Sequence, residues 1–145
     1  MAASPEPHDL LVALLQVQSA LDRRGEAFFQ PLGLTGAQFN ILNLLGTHDG
    51  RLNQAELVGQ LLVGKSSISI VLNRMVRDGL VRREEHATDR RQVVLHLTAK
   101  GRALWRKVSP RYESAVRQVF GTLSPARRQR FLEDLKALHD SVAEG

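Results

Sequence analysis

Apolar residues recur at helical spacing along most of this chain and switch to alternation once. From Asp9 onward, Leu10, Leu11, Leu14, Leu15, Val17, Leu21 and Phe28 mark a helix running to about Phe29, where Pro31 and Gly33 break it. Asp9 stands where an N-cap or first-turn acid belongs, and residues 1–8 ahead of it read as a loose tail. Thr35-Gly36-Ala37-Gln38 has the spacing of a capping box and opens a second helix carrying Phe39, Ile41, Leu42, Leu44 and Leu45. That helix is apolar on more than one side, so it is expected to be largely buried. Gly46 and the cluster His48-Asp49-Gly50 are expected to stop it.

Asn53 caps a short third helix, about 54–61, with Leu57 and Leu61 inward, and Gly64 marks the turn after it. A fourth helix follows over 66–78. Ile68, Val71, Leu72, Met75 and Val76 form its inward face; Ser66, Ser67, Ser69, Ile70, Asn73, Arg74 and Arg77 face away. Gly79 sits where a left-handed residue ends a helix. A strand starts at Leu80-Val81-Arg82-Arg83. The polar run His86 to Arg91 suits a hairpin tip, and Val93, Leu95 and Leu97 alternate with Val94 and His96 as a half-buried return strand does. Thr98 caps a fifth helix with Leu104, Trp105, Val108, Tyr112, Val116, Val119 and Phe120, in which Pro110 predicts a kink or a break. Ser124 and Pro125 open a sixth, carrying Phe131, Leu132, Leu135, Leu138 and Val142. The chain is therefore mainly α with a small β-hairpin. Leu52 to Thr98 has the shape of a winged helix-turn-helix, a module that puts one helix in the DNA major groove.

Charge sharpens this. Residues 51–107 hold twelve Lys/Arg against five acids, so a segment at +7 sits in a chain whose net charge is +5. A basic middle between near-neutral ends fits a polyanion such as double-stranded DNA. The absence of cysteine excludes a disulfide framework and a thiol redox sensor. No run of 18 apolar residues points to a membrane span, and the opening MAASPEPHD lacks the regions of a signal peptide, so a cytoplasmic protein is expected. At 145 residues it is most simply one domain.

The fourth helix is the candidate reader. Lys65, Ser66, Ser67 and Ser69 form a small, hydroxylated first turn that permits close approach to phosphate or base edges. Asn73 has the chemistry to pair with adenine, and Arg74 and Arg77 with guanine or phosphate. Ile70 either touches a thymine methyl or is an ordinary surface isoleucine. The hairpin tip is the second reader: Arg90 and Arg91 are placed for a minor groove, with Asp89 pairing a nearby arginine.

These pieces together resemble the MarR family of transcriptional regulators. The resemblance rests on Leu34 to Phe39, on Lys65 to Ser69 with Arg77-Asp78-Gly79-Leu80-Val81, and on Asp89-Arg90-Arg91 followed by Leu97-Thr98 and Lys100-Gly101. It implies that Ser66, Ser67, Ser69 and Arg74 meet DNA or support the contact. It implies that Arg91 enters the minor groove, that Asp89 holds it, and that Arg90 reaches phosphate. Ile70 departs from the family pattern, which often has arginine or another polar residue there, and implies a different operator preference. The resemblance further implies a homodimer joined by the helices of 9–30 and 99–143, with 34–98 as the DNA-binding lobe.

It also implies a small anionic or aromatic effector between dimer helices and reader, for which Arg23, Arg24, Phe28, Phe39, Trp105 and Arg106 are the candidates. The alternative is a constitutive or architectural DNA binder with no effector. His8, His48, His86, His96 and His139 show no metal-ligand spacing, and no catalytic motif or cofactor signature is present, so neither an enzyme nor a metal or cofactor is expected.

Overall fold

The computed structural model describes residues 4–61, 65–85, 88–89 and 92–144, with Lys65 and Ser66 described as helix backbone. His86, Arg90 and Arg91 of the hairpin tip and Gly64 of the turn lie outside the described residues. The elements are α1 (Pro7–Phe29), a 3₁₀ turn (Gln30–Leu32), α2 (Gly36–Thr47), β1 (Arg51–Asn53), α3 (Gln54–Gln60), α4 (Lys65–Arg77), β2 (Val81–Glu85), β3 (Val93–Leu97), α5 (Ala99–Phe120) and α6 (Pro125–Ala143). They group into two compact units, residues 1–105 and 106–145.

In the first unit α2 is the buried centre. Phe39, Ile41, Leu42 and Leu45 are shut from solvent, and Phe39 stacks on Phe29 with ring centroids 5.2 Å apart. Leu57 of α3, Leu72 and Met75 of α4 and Leu95 of β3 complete this core. The capping box opens α2 as expected: the Thr35 hydroxyl accepts from Gln38 N at 3.1 Å, and Thr35 N donates to Gln38 Oε1 at 2.9 Å. Three strands form one antiparallel sheet in the order β1-β3-β2, with Leu52 opposite Leu95 and Val81 opposite Leu97. In the second unit α5 continues to Phe120. There α6 opens on Ser124, whose hydroxyl accepts from Arg127 N at 3.4 Å.

Several boundaries differ from those read in the sequence. α1 starts earlier, with Pro7 at its first position, and Asp9 is the third helical residue, its carboxylate accepting from Glu6 N at 3.1 Å. Gly46 does not stop α2; the stop comes at Asp49 and Gly50, both with left-handed φ (57° and 77°). Gly46 is there because the Trp105 indole lies where its Cβ would be, and Trp105 Nε1 donates to Asn43 Oδ1 at 3.0 Å. β1 was not anticipated, since only Leu52 of its three residues is buried and no alternation can show. Leu61 caps the end of α3 half-buried rather than facing inward. Pro110 does not break α5, which runs through it as one helix.

Candidate nucleic-acid interface

α4 owes its direction to its buried face and its C-terminal exit. Ile68, Leu72 and Met75 pin one side into the core, which leaves Ser67, Ser69, Ile70, Asn73, Arg74 and Arg77 exposed on the other. Ile70 is 73% exposed in the middle of this polar face. The exit is a full Schellman motif: Leu80 N donates to Met75 O at 2.9 Å and Gly79 N to Val76 O at 3.1 Å, with Gly79 at φ 75° and Leu80 buried.

The residues after the second wing strand tie that exit down. Thr98 N donates to Leu80 O at 3.2 Å, and the Thr98 hydroxyl donates to Gly79 O at 2.6 Å while accepting from Gly101 N at 3.0 Å. Lys100 Nζ reaches Asp78 O at 2.9 Å. Three carbonyls at the end of the reader helix are thus met by the first turn of α5. A side chain at 101 would run into the Leu80 carbonyl, so this close approach requires glycine. Leu97-Thr98 with Lys100-Gly101 is in this sense a fastening for the reader.

On the wing, the solvent face of the sheet carries Arg51, Arg82 and His96 side by side, with Glu84 next along β2. Glu84 Oε2 is 2.7 Å from His96 Nε2, without the alignment of a hydrogen bond, and 3.6 Å from Arg82. On the opposite face Arg83 extends from β2 to α4, and its Nη1 donates to Asn73 Oδ1 at 2.7 Å. Sequence reasoning missed Arg83. Its only signal was a cation ten residues after an asparagine, across a helix–glycine–strand corner. Asp89 is described and engaged, whereas Arg90 and Arg91 and the side chains of Lys65 and Ser66 lie outside the described residues.

Of the effector candidates, Phe28 and Phe39 share Phe29 as a neighbour. Phe39 is core, Phe28 packs edge-on against Phe29 with centroids 4.9 Å apart, and Trp105 is held on Gly46 and Asn43. Arg23 donates to Ser19 at 2.7 Å on the exposed side of α1; Arg24 is exposed, and Arg106 belongs to the second unit. A hollow of about 700 Å³ opens between the second half of α1, the start of α2 and the end of α4. Buried Phe29 and Leu34 line it from the core, and exposed Leu21, Asp22, Glu26, Arg74 and Asp78 line it toward solvent. Among the described residues no helix is long and apolar enough to cross a membrane.

This architecture matches known proteins over its whole length. The homoprotocatechuate degradative operon repressor of Escherichia coli is 30% identical over 145 residues, covering 94% of this chain and 95% of the relative. The family model described as MarR family matches residues 32–92. The chain belongs to the MarR family. It is a winged-helix transcriptional regulator, and the family is not one of enzymes. Among solved MarR-type structures, AbsC of Streptomyces coelicolor, a MarR family transcriptional regulator, superposes with a TM-score of 0.89 at 28% identity, covering 100% of this chain and 99% of AbsC. BpsR of Bordetella bronchiseptica, whose DNA binding is regulated by 6-hydroxynicotinic acid, superposes with a TM-score of 0.68 at 30% identity, covering 86% of this chain and 98% of that one.

Proposed function

We propose that the protein is a homodimeric repressor that grips a pseudo-palindromic operator. Helix 66–78 lies in the major groove, wing 85–92 in the minor groove, and a small aromatic effector releases the complex. The observation that carries this reading is the exposed face of α4: hydroxyls at its start, Asn73 and two arginines further on, on a helix whose exit is fastened by Thr98 and Lys100. Related proteins of similar length are named repressors.

Dimerisation is supported by apolar surface that a lone chain leaves wet. On α1, Leu10, Leu11, Leu14, Leu15 and Val17 are exposed; on α6, Phe131, Leu132, Leu138 and Val142 are. Apolar patches of this extent mark interaction surfaces. Twin readers then meet half-sites about 34–36 Å apart, or a multiple of that. Such a regulator works in the cytoplasm.

Selecting sites from random duplexes with the purified protein tests the reading, and the promoter of its own gene is the first probe. Enrichment of an inverted repeat is expected. No enriched sequence, or binding without the salt dependence of phosphate contacts, would overturn it. Arg91→Ala is expected to weaken operator binding by about 1–3 kcal/mol and to flatten the preference for A·T-rich flanks. Unchanged affinity would remove the wing from the interface.

For the effector, the hollow beside α4 has an apolar lining for an aromatic ring, with Arg74 as the cation on a rim otherwise acidic. An uncharged hydroxylated aromatic, which the acidic rim does not repel, is the first ligand to screen, with 6-hydroxynicotinic acid, named for BpsR, beside it. An effector is expected to raise the melting temperature and release operator. Arg74→Ala is expected to abolish the thermal shift. A ligand that shifts both proteins equally binds elsewhere.

A further inference from the structure

The clasp between wing and reader changes what the reader is able to recognise. Asn73 lies on the same stripe of α4 as Ser69 and Arg77, one turn from each, and its side chain is exposed. An asparagine that reads adenine presents oxygen and nitrogen side by side to the base, the oxygen accepting from N6 and the nitrogen donating to N7. In this protein the Asn73 oxygen is drawn toward β2, where Arg83 Nη1 donates to it at 2.7 Å. An amide held in that way keeps both NH₂ donors for the base, with one of its two oxygen lone pairs already engaged. The guanidinium that fixes it has only donors as well.

We infer that Arg83 is a specificity-determining positioning residue: by engaging the Asn73 oxygen it makes this part of the reader rich in donors, which favours guanine or another acceptor edge over adenine. The inference rests on α4 being the DNA reader. It reverses the simplest expectation for Asn73, a pairing with adenine. It also couples the two readers. The wing strand that carries Arg83 sets the chemistry of a residue in the major groove, so wing and helix do not choose bases independently.

The test is site selection from random duplexes by the full-length wild type, Arg83→Ala, Arg83→Lys and Asn73→Ala, each first shown by circular dichroism to melt as the wild type does. The wild type is expected to enrich guanine or thymine, not adenine, at the base pair whose preference Asn73→Ala erases. Arg83→Ala frees the amide to turn, and adenine is expected to rise about tenfold at that same pair relative to the wild type. Arg83→Lys, which keeps a donor on the asparagine oxygen, is expected to restore the wild-type preference. A uniform loss of affinity in Arg83→Ala with unchanged base preferences would reduce Arg83 to a phosphate contact and overturn the inference. Enrichment of adenine by the wild type at the Asn73-dependent pair would overturn it too. Failure of the wild type to select any duplex would instead bring down the reader assignment beneath it.

Discussion

Gly101→Val is expected to lower the melting temperature by about 10 °C or more and to abolish operator binding at temperatures where the wild type is fully bound. The physical cause is local. Residue 101 passes so close to the Leu80 carbonyl that any Cβ overlaps backbone rather than a side chain able to swing aside. Overpacking of this kind costs about 1–3 kcal/mol, and more where the backbone itself must move. A domain of about 150 residues loses roughly 2–4 °C per kcal/mol, so a cost of about 3 kcal/mol or more gives the expected drop. The position of the strain gives the loss its second signature. Moving α5 away from Leu80 breaks the Thr98 bonds to Gly79 and Leu80 and the Lys100 bond to Asp78 together. DNA binding should therefore fall faster than stability does. Thermal melting by circular dichroism beside operator titration at low temperature checks both halves. A variant that melts like the wild type would show that the two segments are not held this tightly.

The second large effect concerns the second unit. Leu132→Asp with Leu138→Asp is expected to leave the chain folded, convert it to monomers and weaken operator binding about a hundredfold or more. Both leucines are about half exposed on α6, so a charge there costs an isolated chain little. Buried between two copies, four carboxylates would meet across an apolar seam, and an unpaired buried charge is among the costliest substitutions. The loss of affinity follows from linkage: a second half-site bound by a tethered reader adds about 10²–10⁴ to affinity with no new contact. Sedimentation gives the mass and titration gives the affinity. A double variant that remains dimeric would place the seam away from α6.

How much of this was legible in the sequence depends on how local each feature is. The capping box at Thr35 and Gln38, the proline start of α6, the left-handed Gly79 and the division of α4 into inward and outward residues are set by neighbours within one or two turns. The first three appear as expected, and in α4 Ile68, Leu72 and Met75 are buried while Ser67, Ser69, Ile70, Asn73, Arg74 and Arg77 are exposed. What escaped involves partners far apart in sequence. Gly46 reads as a breaker, yet it is the flat place against which Trp105 lies, 59 positions later. β1 is too short for alternation to register and exists because β3 is there to pair with it. Asn73 reads as a free amide until Arg83 is seen on the adjoining strand. The hydroxylated and basic character of the site was visible in composition; which of its groups were already spoken for was not.

The fastening at the end of α4 also bears on how such a regulator can diversify. β2 and β3 are joined to it at their Val81–Leu97 end, while the tip grows from the far end, beyond Glu85 and Val93. Substitutions, insertions or deletions in the tip leave the Thr98 and Lys100 anchors untouched. Descendants of this chain are therefore free to try new tips against new promoters while inheriting an unaltered mount for the helix.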